Sequence, residues 1–344
     1  MKVNKVHLAD LELVYAVTAM ELEGDIYCLA ASEKRDGACL CIHLETGKSY
    51  TVWDGPGGVM TLLPLEGENA FLSIDEFYPV FDSAAAAVFR TEISVSDGEV
   101  SVKKEKLCDL PFVHRIGLLE ADGQKYLVGA SLCSGKDYVD DWSRPGGIYA
   151  GEYHPGSPVA MKNIYMGLTK NHGMFLQKNH DGSQTMFIGA SEGVLRVEKP
   201  EAGEWKTELI PLGETSDVWT EDFDGDGKAE IATIQGFHGE HIRIFKEGKE
   251  KQDIIGELPI HFGHVLWAGR FFGALWMIGG SRGEDKALVL YKVKEGTHPE
   301  FEKTVLDEGT GATQISVVTE PDRVRILASN HGKGSVDMYV LERE

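Results

Sequence analysis

The chain of 344 residues is 42% hydrophobic, enough to bury one large all-β domain or two smaller units. Its 34 Lys and Arg against 55 Asp and Glu leave a formal charge of −21, which repels phosphate backbones and anionic bilayers and so excludes nucleic acid and membrane surfaces as partners. No apolar run approaches the ~20 residues of a membrane helix, and the opening MKVNKVHLADLELVYAVTAMELEGD alternates with acids where a signal peptide would be apolar, so a cytoplasmic protein is expected.

Apolar residues rarely follow helical spacing. Short runs of Val, Ile, Leu, Phe and Tyr are separated by Gly, Asp, Asn or Pro, an all-β pattern. In chain order, VNKVHLADLE at residues 3–12 reads as a lone strand. A unit then repeats: a strand opened by a polar residue, a tight turn, and a strand ending in small residues. Weaker copies begin near Tyr15 (YAVTAMELEGDIYCLAAS) and Val59 (VMTLLPLEGENAFLSID). Clear copies follow at His114 (HRIGLLEADGQKYLVGAS), His172 (HGMFLQKNHDGSQTMFIGAS), Asp217 (DVWTEDFDGDGKAEIATIQG) and His264 (HVLWAGRFFGALWMIGGS), and a weaker one at Thr313 (TQISVVTEPDRVRILASN).

Seven starts spaced by 44 to 58 residues match four-stranded propeller blades. The last copy holds only three strands, and residues 3–12 supply its missing outer one. The expected fold is therefore a single seven-bladed β-propeller over residues 1–344, closed into a ring that leaves no open sheet edge. A pair of eight-stranded sandwiches is the competing arrangement. The five cysteines, Cys28, Cys39, Cys41, Cys108 and Cys133, show no CxxC spacing and read as reduced structural thiols.

With strands A to D running outward in each blade, D-to-A and B-to-C connections share one face, and A-to-B and C-to-D connections share the other. The A-to-B turn DFDGDGKAE sets carboxylates at Asp222, Asp224 and Asp226, a carbonyl at Lys228 and Glu230 at the ninth position. Hard oxygen ligands at alternating positions around a glycine corner suit Ca²⁺ or Mg²⁺. The expectation is a structural cation loop rather than a catalytic one. Asp122-Gly123 and Asp181-Gly182 read as hairpin turns alone.

On the opposite face, His114, His172, Asp217 and His264 open strand A of consecutive blades and point toward one channel mouth. Three imidazoles suit a divalent Mn, Zn, Fe or Ni ion with positions left for substrate. Asp217 is either a fourth ligand or the cap of a turn. The long B-to-C loop of blade 3, SLCSGKDYVDDWSRPGGIY, shares this face. It brings Lys136, Tyr138 and Arg144 as candidate catalytic groups and Asp141 and Trp142 as candidate substrate contacts. His238 in QGFHGEH and His331 in SNHGKG are candidate general acids or bases.

DFDGDGKAE resembles the cation loop of FG-GAP/VCBS propeller repeats. Together with the His-opened strands and the DDWSRPGG loop, the chain resembles the propeller module of aldos-2-ulose dehydratases and related sugar lyases. That resemblance implies a metal-dependent lyase or dehydratase acting on a small carbohydrate, a keto-sugar or sugar-acid derivative, by α-proton removal and β-elimination. Two other functions fit the same residues: a Ca-stabilised scaffold binding a carbohydrate or a protein, and a keto-glycoside hydrolase using the same metal.

Overall fold

A computed structural model describes residues 1–96, 99–199, 204–248 and 252–343. They form seven sheets of four antiparallel strands, each with its strands in sequence order except the last. Strand A of the successive blades is Val14–Leu22, Thr61–Pro64, Val113–Ala121, Gly173–Lys178, Thr215–Glu221, Gly263–Phe271 and Ala312–Thr319. The arrangement is the seven-bladed propeller that the repeat predicts, with no helix among the described residues.

Ring closure also follows the sequence pattern. Lys2–Asp10 pairs antiparallel with Ser335–Glu342, Lys2 opposite Glu342 and Asp10 opposite Ser335, and so becomes the outer strand of blade 7. Lys5 fastens it through Asp307 at 2.5 Å and Asp337 at 3.1 Å.

The turns between strands A and B explain the regular hairpins. Glu23-Gly24, Asp122-Gly123 and Phe272-Gly273 each hold two successive residues at positive φ, the two-residue geometry that matches the right-handed twist of paired strands. The hydrophobic core is divided into clusters between neighbouring blades. Met60, Leu72 and Val88 of blade 2 meet Val113 and Leu127 of blade 3, for example, while Ile234 and Ile244 of blade 5 meet Leu266 and Met277 of blade 6. Inter-blade packing of this kind leaves the central channel to be lined by the first strands alone.

Candidate functional site

In blades 1, 3, 5, 6 and 7 the pairing of strand A with strand B slips just inside its start. The slips fall between Val14 and Ala16, Val113 and Arg115, Thr215 and Asp217, Gly263 and Val265, and Ala312 and Ile315. A bulge frees one side chain from the ladder and re-aims it. The freed residues include Tyr15, His114, Ser216, His264 and Thr313, and His172 directly precedes strand A of blade 4.

Hydrogen bonds between blades confirm this equivalence. His172 Nδ1 donates to the Ser216 carbonyl at 3.0 Å and His264 Nδ1 to the Thr313 carbonyl at 2.8 Å. Ser216, not Asp217, is therefore the blade 5 counterpart of the histidines. The physical reason is the eight-residue connection 222–229, which makes a count back from the turn land one residue too far along. Asp217 instead lies one step down the channel, its carboxylate accepting the Val218 N–H at 2.9 Å.

The histidines converge. His114 stacks on His172 with centroids 4.3 Å apart, and His172 lies 5.1 Å from His264. His238, from the B-to-C loop of blade 5, completes the group: His172, His238 and His264 each offer a ring nitrogen within 4.8 Å of the others. These three, rather than His114 with His172 and His264, form the ligand set that could hold a metal ion. His172 Nε2 and His238 Nε2 are 3.3 Å apart, the separation of two nitrogens ~2.05 Å from a tetrahedral centre. Because Nδ1 of His172 and of His264 donates to a carbonyl, each Nε2 presents its lone pair.

His238 reaches the group through a tight turn. Its own φ is 54°, and a Cβ on Gly239 would lie 1.6 Å from the Gln235 carbonyl oxygen, so only glycine fits there. His114 is held differently: its Nε2 is 3.1 Å from Tyr15 Oη and its Nδ1 3.0 Å from Arg115 Nη1. Tyr15 Oη is also 3.4 Å from His264 Nε2. Tyr15 was legible as a strand opening in the repeat but carried no chemical signal of its own; its register with the histidines was the clue.

All four imidazoles are buried, between 1% and 9% exposed, and burial dominates their titration. His114, His172 and His264 are held well below the ordinary imidazole range, and His238 is pushed down to about 3 by burial and then by Arg282, Arg115 and Lys170. Neutral imidazoles are the form that binds metal. Burial pushes the Asp217 carboxyl up to about 7, against the pull of Arg115.

Aromatic rings cover the cluster on the B-to-C face. Phe262 stacks on His238 at 4.6 Å, Phe237 lies 4.2 Å from His238, and Trp142 and Phe81 pack edge-on against Phe237. Of the blade 3 loop residues, Trp142 joins this cover, with Lys136 Nζ 3.3 Å above its ring. Asp141 accepts from the Ser143 and Asp137 backbone N–H groups, Arg144 bonds Asp137 and Asp141, and Tyr138 is 65% exposed. These groups tie the loop to itself. His331 is engaged on both nitrogens, by Glu33 at 2.7 Å and Arg282 at 3.0 Å.

On the far face, Asp222, Asp224 and Asp226 form a second group that could hold a cation. Asp222 accepts the N–H groups of Gly225 and Gly227, Asp226 accepts that of Lys228, and Glu230 accepts those of Phe223 and Asp224. The Lys246 ammonium stands among the carboxylates, bonded to Asp224 and, at 2.7 Å, to Asp226. All five cysteines are free thiols, as expected.

No protein-family model matches the chain, and no curated protein matches it. What it does is therefore read from the fold and the two constellations themselves.

Proposed function

We propose that this propeller is a metal-dependent carbon–oxygen lyase that dehydrates a keto-sugar or sugar-acid derivative. The observation that carries the reading is the meeting of His172, His238 and His264, from three different blades, with their ring nitrogens within 4.8 Å of one another. A divalent ion bound there would polarise a ketone or carboxylate oxygen and acidify the adjacent C–H.

The chain's own groups supply the remainder. Asp217 shares a cavity with His264, and a carboxyl titrating near 7 is matched to taking the α-proton at neutral pH. As that proton leaves, the α–β carbon pair becomes a double bond and the β-oxygen departs with its bonding electrons. Tyr15, whose hydroxyl lies between His114 and His264, supplies an O–H that would return a proton to it. Lys136 and Arg144 bond within their own loop and the Tyr138 ring is exposed, and this reading gives the three no chemical step.

The test is metal analysis of the purified protein beside a screen of keto-sugars and sugar acids for formation of an unsaturated product. A transition metal lost in His172→Gln together with turnover supports the lyase. Calcium alone, with no turnover, favours the scaffold reading.

A further inference from the structure

Below the histidines the central channel contains a cavity of about 360 Å³ whose wall includes Arg115, Asp217, Trp219, His264, Trp267 and Gln314. Strand A of every blade runs from the B-to-C face toward the A-to-B face. Trp219 and Trp267, three residues past Ser216 and His264, therefore lie deeper along the channel. The two faces differ in access. Above, the histidines are buried under the Phe237, Trp142 and Phe262 rings. Below, Arg115, Asp217, Trp219, Trp267 and Gln314 are each partly exposed, and the cavity they line reaches His264.

The charge in this cavity is unusual for a chain of −21. Arg115 donates to the Met60 carbonyl at 3.2 Å and to the His114 carbonyl at 3.1 Å, and forms no ion pair among the described residues. Arg282, in the B-to-C loop above the histidines, donates to the His331 ring, whose other nitrogen meets Glu33, so Arg115 is the guanidinium that lines the cavity. A divalent ion on neutral imidazoles beside the Arg115 guanidinium is an excess of positive charge, and an anionic ligand is what balances it. Arg115 presents a planar fork that fits a carboxylate. Asp217 beside it disfavours a dianion and accepts from a hydroxyl, and the indoles of Trp219 and Trp267, centroids 6.0 Å apart, offer flat apolar faces to C–H groups.

We propose that the ligand occupies this cavity, reaching the histidines from the A-to-B face rather than through the loops above them, and that it is a hydroxylated monocarboxylate of monosaccharide size held by Arg115. This rests on the lyase reading for its chemistry, but the binding site is separable from it.

The test titrates the full chain, metal-loaded and metal-free, with D-glucuronate, D-glucose and D-glucose 6-phosphate, following tryptophan fluorescence and heat. Glucuronate is expected to bind and to quench fluorescence. Glucose, lacking the charge, should bind about 10- to 100-fold more weakly, and Arg115→Gln should weaken glucuronate by a similar factor, as loss of a charged hydrogen bond predicts. Val317→Trp, which narrows the channel below the histidines, should abolish glucuronate binding while metal content and circular dichroism stay unchanged. Equal binding of glucose, tighter binding of the phosphate, full affinity in Arg115→Gln, or no binding of any probe to folded metal-loaded protein would each overturn the proposal. Arg115-dependent glucuronate binding by a protein that takes up no transition metal would instead overturn the lyase reading and leave the cavity assignment standing.

Discussion

Acidifying the metal-free protein from pH 7 to pH 5 should cost it a large part of its stability. His114, His172, His238 and His264 are buried as neutral imidazoles, with folded-state pKa values depressed below the ordinary 6.5. A depressed pKa contributes stability that is present above pH 6.5 and lost as pH falls toward the folded value, which for His238 is about 3. At ~1.4 kcal/mol per pH unit, each imidazole costs about 2 kcal/mol by pH 5, or about 8 kcal/mol for four acting independently. Asp217 works in the opposite sense. Its raised pKa of about 7 gives stability that is present at low pH and lost as pH rises through 7. Acidification therefore returns about 2 kcal/mol, leaving a net loss of about 6 kcal/mol against a total of ~5–15 kcal/mol for a typical domain. Urea unfolding at pH 7, 6 and 5 measures this directly, and His238→Gln should remove one imidazole's share of the slope. A loss below about 2 kcal/mol would mean that no more than one of the four is buried neutral, and would refute the convergence of the histidines under their aromatic cover.

Other consequences can be measured on the same protein. His172→Gln removes one of three ligand nitrogens and should lower metal affinity by more than the roughly 10- to 100-fold typical of an outer-shell loss, read by equilibrium dialysis. Gly239→Ala forces a Cβ to 1.6 Å from the Gln235 carbonyl oxygen and should cost about 2–4 kcal/mol in unfolding while displacing His238 and weakening metal binding; unchanged metal affinity would separate His238 from the ligand set. Asp217→Asn should abolish turnover while metal content is retained, whereas equal turnover would remove Asp217 as the base. Because the Lys246 ammonium already stands among Asp224 and Asp226, Ca²⁺ or a chelator should leave the melting temperature of the native chain unchanged, while Lys246→Met should gain a Ca²⁺-dependent rise of a few degrees. A native chain that melts earlier in chelator would show that the loop needs its ion.

The blades were legible because what makes them is local. Alternating apolar residues, two-residue turns such as Asp122-Gly123 and small residues at the ends of second strands recur in each copy, and the three-stranded seventh copy called for the N-terminal strand that pairs Lys2 with Glu342. The site was legible only where it shares that period. His114, His172 and His264 stand out in a linear alignment because they occupy repeated positions, and closing the ring brings repeated positions to one axis.

What the repeat does not encode was set by the tertiary structure. The lengthened loop at 222–229 moved the register in blade 5, so Asp217 lies below the histidines, and Ser216 supplies only a carbonyl beside them. His238 becomes a ligand because a loop with a left-handed residue folds back over the mouth, a path fixed by its contacts with Phe262 and Phe237 and not by any periodicity. Lys246 meets the acidic loop across a hairpin 20 residues from Asp226 in sequence. The amino-acid sequence by itself determined the number of blades, their closure and the face each loop occupies, since these depend on nearest-neighbour pairing. Which side chains meet, which are covered and from which side the channel is open depend on distances between separate blades, and only the packed ring decided them.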